Sequence, residues 1–195
     1  PLHASGPYFG KLLPRKRTRL QADWGAYLNL TGASTSGAFT PDAAALDITG
    51  DLDLRCRVSG DWTPATDSTL VAKGNLLGQF SYSRALLTTG VLRMAWSTAG
   101  TLGSILTTDS TAAVGAADGE IRWVRATLDV DAGGGNRAVR FYTSSDDTHD
   151  HTAVSWTQLG STVTTAGTTS VFSGSAVASV GILADGSAPF TGRVY

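Results

Sequence analysis

Carboxylates are the first residues to weigh, because two of them flanking a glycosidic bond are enough for hydrolysis. The chain has one glutamate, Glu120, in the turn-like "ADGE". It has no acidic partner at strand spacing. Asp51 with Asp53, and Asp129 with Asp131, are same-face pairs two residues apart. Each alternates with apolar residues that must face a core, so both pairs point outward and read as solvated strand faces or turns. Nucleophilic triads have little to draw on. His3, His149 and His151 are the three histidines, and no Gly-x-Ser-x-Gly elbow precedes a helix. Cys56 falls in an apolar register and reads as a small core residue. No catalytic constellation emerges.

Two binding chemistries remain open. "DDTHDH" sets His149 and His151 two apart with Asp146, Asp147 and Asp150 beside them, a composition able to bind a divalent ion. The alternative, which is favoured, is a polar hairpin tip. Exposed aromatic rings offer sugars a stacking surface. Trp62, after a Gly-Asp turn in "GDWTP", is expected to be partly exposed, and Trp24 and Trp156 are further candidates. Trp96 and Trp123 read as packed strand residues. Core packing competes with stacking at every one of these positions.

The elements that would position these residues have a period of two. In "DLDLRCRVSG", Leu52, Leu54, Cys56 and Val58 alternate with Asp51, Asp53, Arg55 and Arg57. That pattern is a strand with one apolar and one charged face. "GVLRMAWST" places Leu92, Met94 and Trp96 on one face, and "EIRWVRATLDVD" places Val124, Ala126, Leu128 and Val130 inward. "NRAVRFYTSS" sets Val139, Phe141 and Thr143 against Ala138, Arg140 and Tyr142. "STLVAKGN", "QFSYSRALL", "AVSWTQLGS", "TTSVFSG", "ASVGILADG" and "FTGRVY" read as further strands, joined by Gly-, Asn- and Asp-rich turns. "PDAAALDI" is good for one helical turn. Many short strands without intervening helices predict an all-β fold, an antiparallel two-sheet β-sandwich of the jelly-roll kind.

With 195 residues, a net charge of −1 and one cysteine, the chain is large enough to bury a core without a disulfide, and it has no global bias toward nucleic acid or membrane. Its beginning differs from the rest. "KLLPRKRTRLQ" crowds Lys11, Arg15, Lys16, Arg17 and Arg19 together, and Pro7 and Pro14 oppose a continuous helix. Residues 1–40 are therefore expected to be an extended basic arm or linker, a subunit-contact segment, and residues 41–195 the sandwich. The last strand, "FTGRVY", stops mid-strand, so its pairing is expected to continue beyond Tyr195.

From "ITGDLDLRCRVSGDWTP" through "LVAKGN", "FSYSRALLTTGVLRMAWST", "EIRWVRATLDVD" and "RAVRFYTSS" to "PFTGRVY", the chain resembles the concanavalin A-like, laminin-G-type jelly rolls of minor tail and other virion proteins of actinobacterial phages. The resemblance covers residues 39–195 and leaves out the basic arm. It implies a non-enzymatic structural or adhesion component of a tailed-phage virion, a minor tail or tail-tip protein with a lectin-like domain. Its partners would be other virion subunits in a homo-oligomer, and a cell-surface glycan. Domains of this type often hold Ca2+ at a loop end, which implies Asp61 or Asp146 as ligands. A capsid decoration protein, and a carbohydrate-binding module of a secreted or surface protein, are the alternatives. Trp62, Asp146, His149 and His151 are the ligand-binding candidates.

Overall fold

The computed structural model describes residues 26–195. The five basic residues of the expected arm, and Trp24, lie outside that range. Among the described residues thirteen strands form two antiparallel sheets. They are β1 (Leu28–Thr31), β2 (Ala38–Thr40), β3 (Leu52–Gly60), β4 (Ser68–Lys73), β5 (Tyr82–Leu86), β6 (Val91–Ser97), β7 (Ile105–Ala113), β8 (Arg122–Gly133), β9 (Asn136–Ser144), β10 (Thr157–Gln158), β11 (Val163–Ala166), β12 (Ala178–Val180) and β13 (Thr191–Val194). Sheet A runs β1-β13-β3-β8-β9-β10, with β11 also on β9. Sheet B runs β2-β12-β4-β5-β6-β7. The all-β, two-sheet jelly-roll sandwich expected from the alternation is the fold.

The core follows from that alternation. Leu52, Leu54 and Val58 of β3, Val124, Ala126 and Leu128 of β8, and Val139 and Phe141 of β9 are buried. They meet Leu70, Tyr82, Leu86, Leu92, Met94 and Trp96 from sheet B in one cluster. Removing a side chain such as Phe141 from water contributes roughly 1.5–3 kcal/mol. "PDAAALDI" forms the single helical turn expected of it, a 3-10 turn at Ala44–Leu46.

Three expectations are corrected. First, the sandwich begins before residue 41. β1 pairs with β13 and β2 pairs with β12, so part of the expected arm belongs to the two sheets. The small polar stretch between them only looks like a linker because it crosses from one sheet to the other. Second, "TTSVFSG" is not a strand. Its amides bond to three separate places: Thr169 N–H to the Val130 carbonyl, Val171 to Thr49 and Phe172 to Ser97. The segment therefore stitches the end of one sheet to the other. "AVSWTQLGS" likewise contributes only the two residues of β10. Third, β7 was not anticipated, because its Thr-, Ser- and Ala-rich sequence at the edge of sheet B lacks apolar alternation.

β13 is held tightly against β3. Gly192, at φ 149°, lies opposite Gly60, and a Cβ there would meet the Ser59 carbonyl oxygen at 2.2 Å. Glycine is required at this position by both the backbone angle and the close approach.

Candidate functional site

The side chains that alternate away from the core on sheet A form the chemically richest surface. β3 contributes Asp53, Arg55 and Arg57, β8 Trp123 and Arg125, and β9 Tyr142. Pairing aligns them in rows: Arg57 faces Trp123, and Arg55, Arg125 and Tyr142 follow one another across three strands. Arg55 and Arg125 both fork onto Asp53, at 2.6–3.0 Å. Two guanidinium groups thus share one carboxylate, which leaves a positive charge in excess. The Arg125 guanidinium lies 5.0 Å from the Tyr142 ring centre and 5.6 Å from that of Trp156. Arg57 lies 5.2 Å from the Tyr195 ring. Stacking uses the guanidinium faces, while edge donors of Arg125 go to Asp53 and those of Arg57 to Asp147 and His149.

The "DDTHDH" segment folds down onto this face. Trp123 Nε1 donates to the Thr148 carbonyl at 3.0 Å, Arg55 to the His151 carbonyl at 3.3 Å, and Arg57 to Asp147. A His149 ring nitrogen lies 3.3 Å from Arg57 Nη1. Trp156 then meets Trp123 edge-on, at 6.2 Å between ring centres. The segment lies in the exposed loop that joins the antiparallel strands β9 and β10, as expected of a polar hairpin tip, and its carbonyls and Asp147 also satisfy donors on the sheet. This loop also explains how Trp123, on the outer face, is buried. What remains open is a groove of about 600 Å³ along β3, bordered outside by Asp53, Arg55, Arg57, Trp123, His151 and Tyr195.

The candidates read from the sequence divide. His149 and His151 reach this face. Trp62 does not, and its expected partial exposure is corrected: it is 2% exposed, part of the core, with Nε1 bonded to the Glu120 carbonyl and its amide to Asp118. Asp146 accepts the Ser155 amide at 2.6 Å and pins the base of the loop. Asp61 accepts the Thr63 amide at 2.8 Å. Among the described residues no three His, Cys, Asp or Glu side chains gather in a metal-holding arrangement. The residues that sequence reasoning missed are Arg55, Arg57, Arg125, Tyr142 and Tyr195. Their outward register was legible. Their convergence was not, since it depends on which strands are neighbours.

The acids on this face are poorly suited to proton transfer. Burial raises the Asp53 pKa, but the hydrogen bonds from Arg55 and Arg125 outweigh it and hold the carboxyl below its usual range. A general acid needs the opposite shift. Asp51 accepts the Val130 amide, and Glu120 pairs with Arg122. Burial pushes the Cys56 thiol up, away from thiolate chemistry. The depressed Asp53 pKa stabilises the fold above the unfolded carboxyl value of about 3.9, and that contribution is lost as pH falls through the folded value. Denaturation midpoints followed through this acid range should decline less in Asp53→Asn than in the wild type. Equal declines would mean that Asp53 is not a determinant of acid stability.

No protein-family model matches the chain, and no curated protein matches it. Solved structures do. The CBM40 of the Ruminococcus gnavus IT-sialidase bound to α2,3-sialyllactose superposes with a TM-score of 0.53 at 15% identity, over 82% of this chain and 85% of that one. A second structure of the Ruminococcus gnavus IT-sialidase CBM40 gives 0.52 at 14% identity, over 82% and 84%. This chain shares the fold of that carbohydrate-binding module. The likeness to CBM40 extends over nearly the whole of both sandwiches, so the jelly-roll architecture is common to them.

Proposed function

We propose that the chain is a glycan-binding sandwich without catalytic activity, and that the outer face of sheet A binds an acidic sugar. The observation that carries this reading is a groove bordered by Arg55, Arg57 and Tyr195, beside which Arg125 lies over the Tyr142 and Trp156 rings and shares Asp53 with Arg55. Guanidinium forks suit a carboxylate or sulfate, rings suit the C–H face of a pyranose, and Asp53 is an acceptor for hydroxyls. The fold shared with a CBM40 bound to sialyllactose supports the same class of ligand. Such a module acts outside the cell or on a particle surface.

Titration calorimetry with α2,3-sialyllactose and with lactose tests the proposal. The acidic sugar should bind and lactose should bind weakly or not at all. A charge-assisted hydrogen bond is worth about 1.5–3 kcal/mol, so Arg55→Ala should weaken binding by roughly 10- to 150-fold. Equal affinity for the two sugars, or an unaffected Arg55→Ala protein, rejects this site.

A second reading places the same sandwich on a phage particle as a minor tail or tail-tip subunit. The strand-by-strand resemblance of residues 39–195 to virion jelly rolls supports it. Antibody labelling of purified particles separates tail from capsid, and absence of the chain from particles ends this reading.

A further inference from the structure

The outward rows of sheet A continue past the groove. Asp53 faces Thr127, and Thr127 faces Arg140, across β3, β8 and β9. This row lies next to that of Arg55, Arg125 and Tyr142. Asp129 is the next outward residue of β8. These side chains line a shallow depression of about 370 Å³ on the three central strands. The depression and the groove share Asp53 in their linings, so the two openings meet at that carboxylate.

Hydrogen bonding divides the polar groups of the depression into two sets. Arg125 is bound to Asp53, and Asp51 to the Val130 amide. The side chains of Thr127, Asp129 and Arg140 are half-buried, yet among the described residues none of them has a hydrogen-bond or ion-pair partner. Arg140 stands directly opposite Thr127, and Asp129 is its diagonal neighbour. Diagonal neighbours lie about 7–8 Å apart, too far for contact and near enough for one sugar ring to reach both. A half-buried charge has lost part of its water, and a ligand that completes its hydrogen bonds offsets that loss.

We infer that this depression is a second subsite, binding a neutral sugar residue beside the acidic one; the inference rests on the acidic-sugar reading of the groove. A sugar hydroxyl both donates and accepts, so neighbouring hydroxyls match the Asp129 carboxylate and the Arg140 guanidinium together. Tyr142 supplies an aromatic wall for the C–H groups of the ring. Charge decides against a second acid. In the lining, Asp51, Asp53 and Asp129 outnumber Arg125 and Arg140. A further carboxylate is repelled there, and a neutral ring is not. The ligand class is then an acidic sugar carried on a neutral one, as opposed to a chain of acidic sugars.

Titration calorimetry on the full chain compares three probes: the methyl glycoside of sialic acid, α2,3-sialyllactose, and an α2,8-linked disaccharide of sialic acid. Sialyllactose should bind about tenfold or more tightly than the single acidic sugar, the gain from one hydrogen bond to a charged group. The two-acid disaccharide should bind no tighter than the single sugar. Arg140→Ala and Asp129→Asn should each reduce sialyllactose to the affinity of the single sugar and leave that of the single sugar unchanged. The two substitutions alter net charge in opposite directions, so a long-range charge effect alone would shift affinity for the acid in opposite senses. The comparison of probes on the unaltered protein stands even if a variant folds poorly. Equal affinities for the single sugar and sialyllactose, tightest binding of the two-acid disaccharide, or opposite shifts in the two variants would each overturn the second subsite and leave the acidic-sugar reading in place. If no probe binds, that reading fails and the subsite falls with it.

Discussion

Lys73→Ala is expected to destabilise the sandwich by about 3–5 kcal/mol, the range for breaking a buried ion pair by removing one partner. Lys73 ends β4 on the core side and is fully buried. Its Nζ donates to Asp42, to Asp47 at 2.9 Å and to the Gly174 carbonyl. These three acceptors come from separate parts of the chain. Asp42 and Asp47 flank the 3-10 turn between β2 and β3, and Gly174 ends the segment that stitches the sheets together. One ammonium group therefore closes one end of the sandwich, and its loss leaves three acceptors facing a void. Burial lowers the Lys73 pKa, but the hydrogen bonds to Asp42 and Asp47 more than reverse it, so the pKa is raised. A raised lysine pKa contributes stability that is complete below the unfolded value of about 10.4 and is lost as pH rises through the folded value. Chemical denaturation at neutral pH measures the first effect, and its alkaline pH dependence measures the second. A loss of less than about 1 kcal/mol, the range of an exposed pair, would show that the cluster behaves like a surface salt bridge.

Arg84→Met is expected to act in the opposite sense and raise stability by about 1–4 kcal/mol, the gain seen when buried charge is replaced by apolar groups of similar size. Its neighbours on β5, Tyr82 and Leu86, are core residues, and Met94 pairs with it across β6. A flexible apolar chain suits such a site. Burial also lowers the Arg84 pKa, with only a partial offset from Cys56. Lys73 and Arg84 are thus two buried cations in adjacent strands with opposite expected outcomes, because one has two carboxylates and the other has none. If Arg84→Met unfolds more readily than the wild type, the guanidinium is already satisfied by Cys56 Sγ and the Leu54 carbonyl.

Leu52, Leu54 and Val58 were assigned to the core, and Arg55 and Arg57 to the outside, by period-two alternation alone. That alternation is a local property, set by the pleat of an extended backbone, and it is sufficient to specify an antiparallel sandwich. Trp62 was misjudged because a Gly-Asp turn says nothing about what packs over the residue after it. β1 and β2 were hidden in a polar stretch because edge strands need little apolar sequence to pair. The sequence by itself determined the all-β class, the two faces of each central strand and the absence of strand-spaced glutamates. Only the tertiary structure decided that Arg55, Arg125 and Tyr142 form one row, that "DDTHDH" covers Trp123, and that Arg84 is buried without an acid. Each of these depends on which strands become neighbours, and that is settled by contacts between residues far apart in the chain.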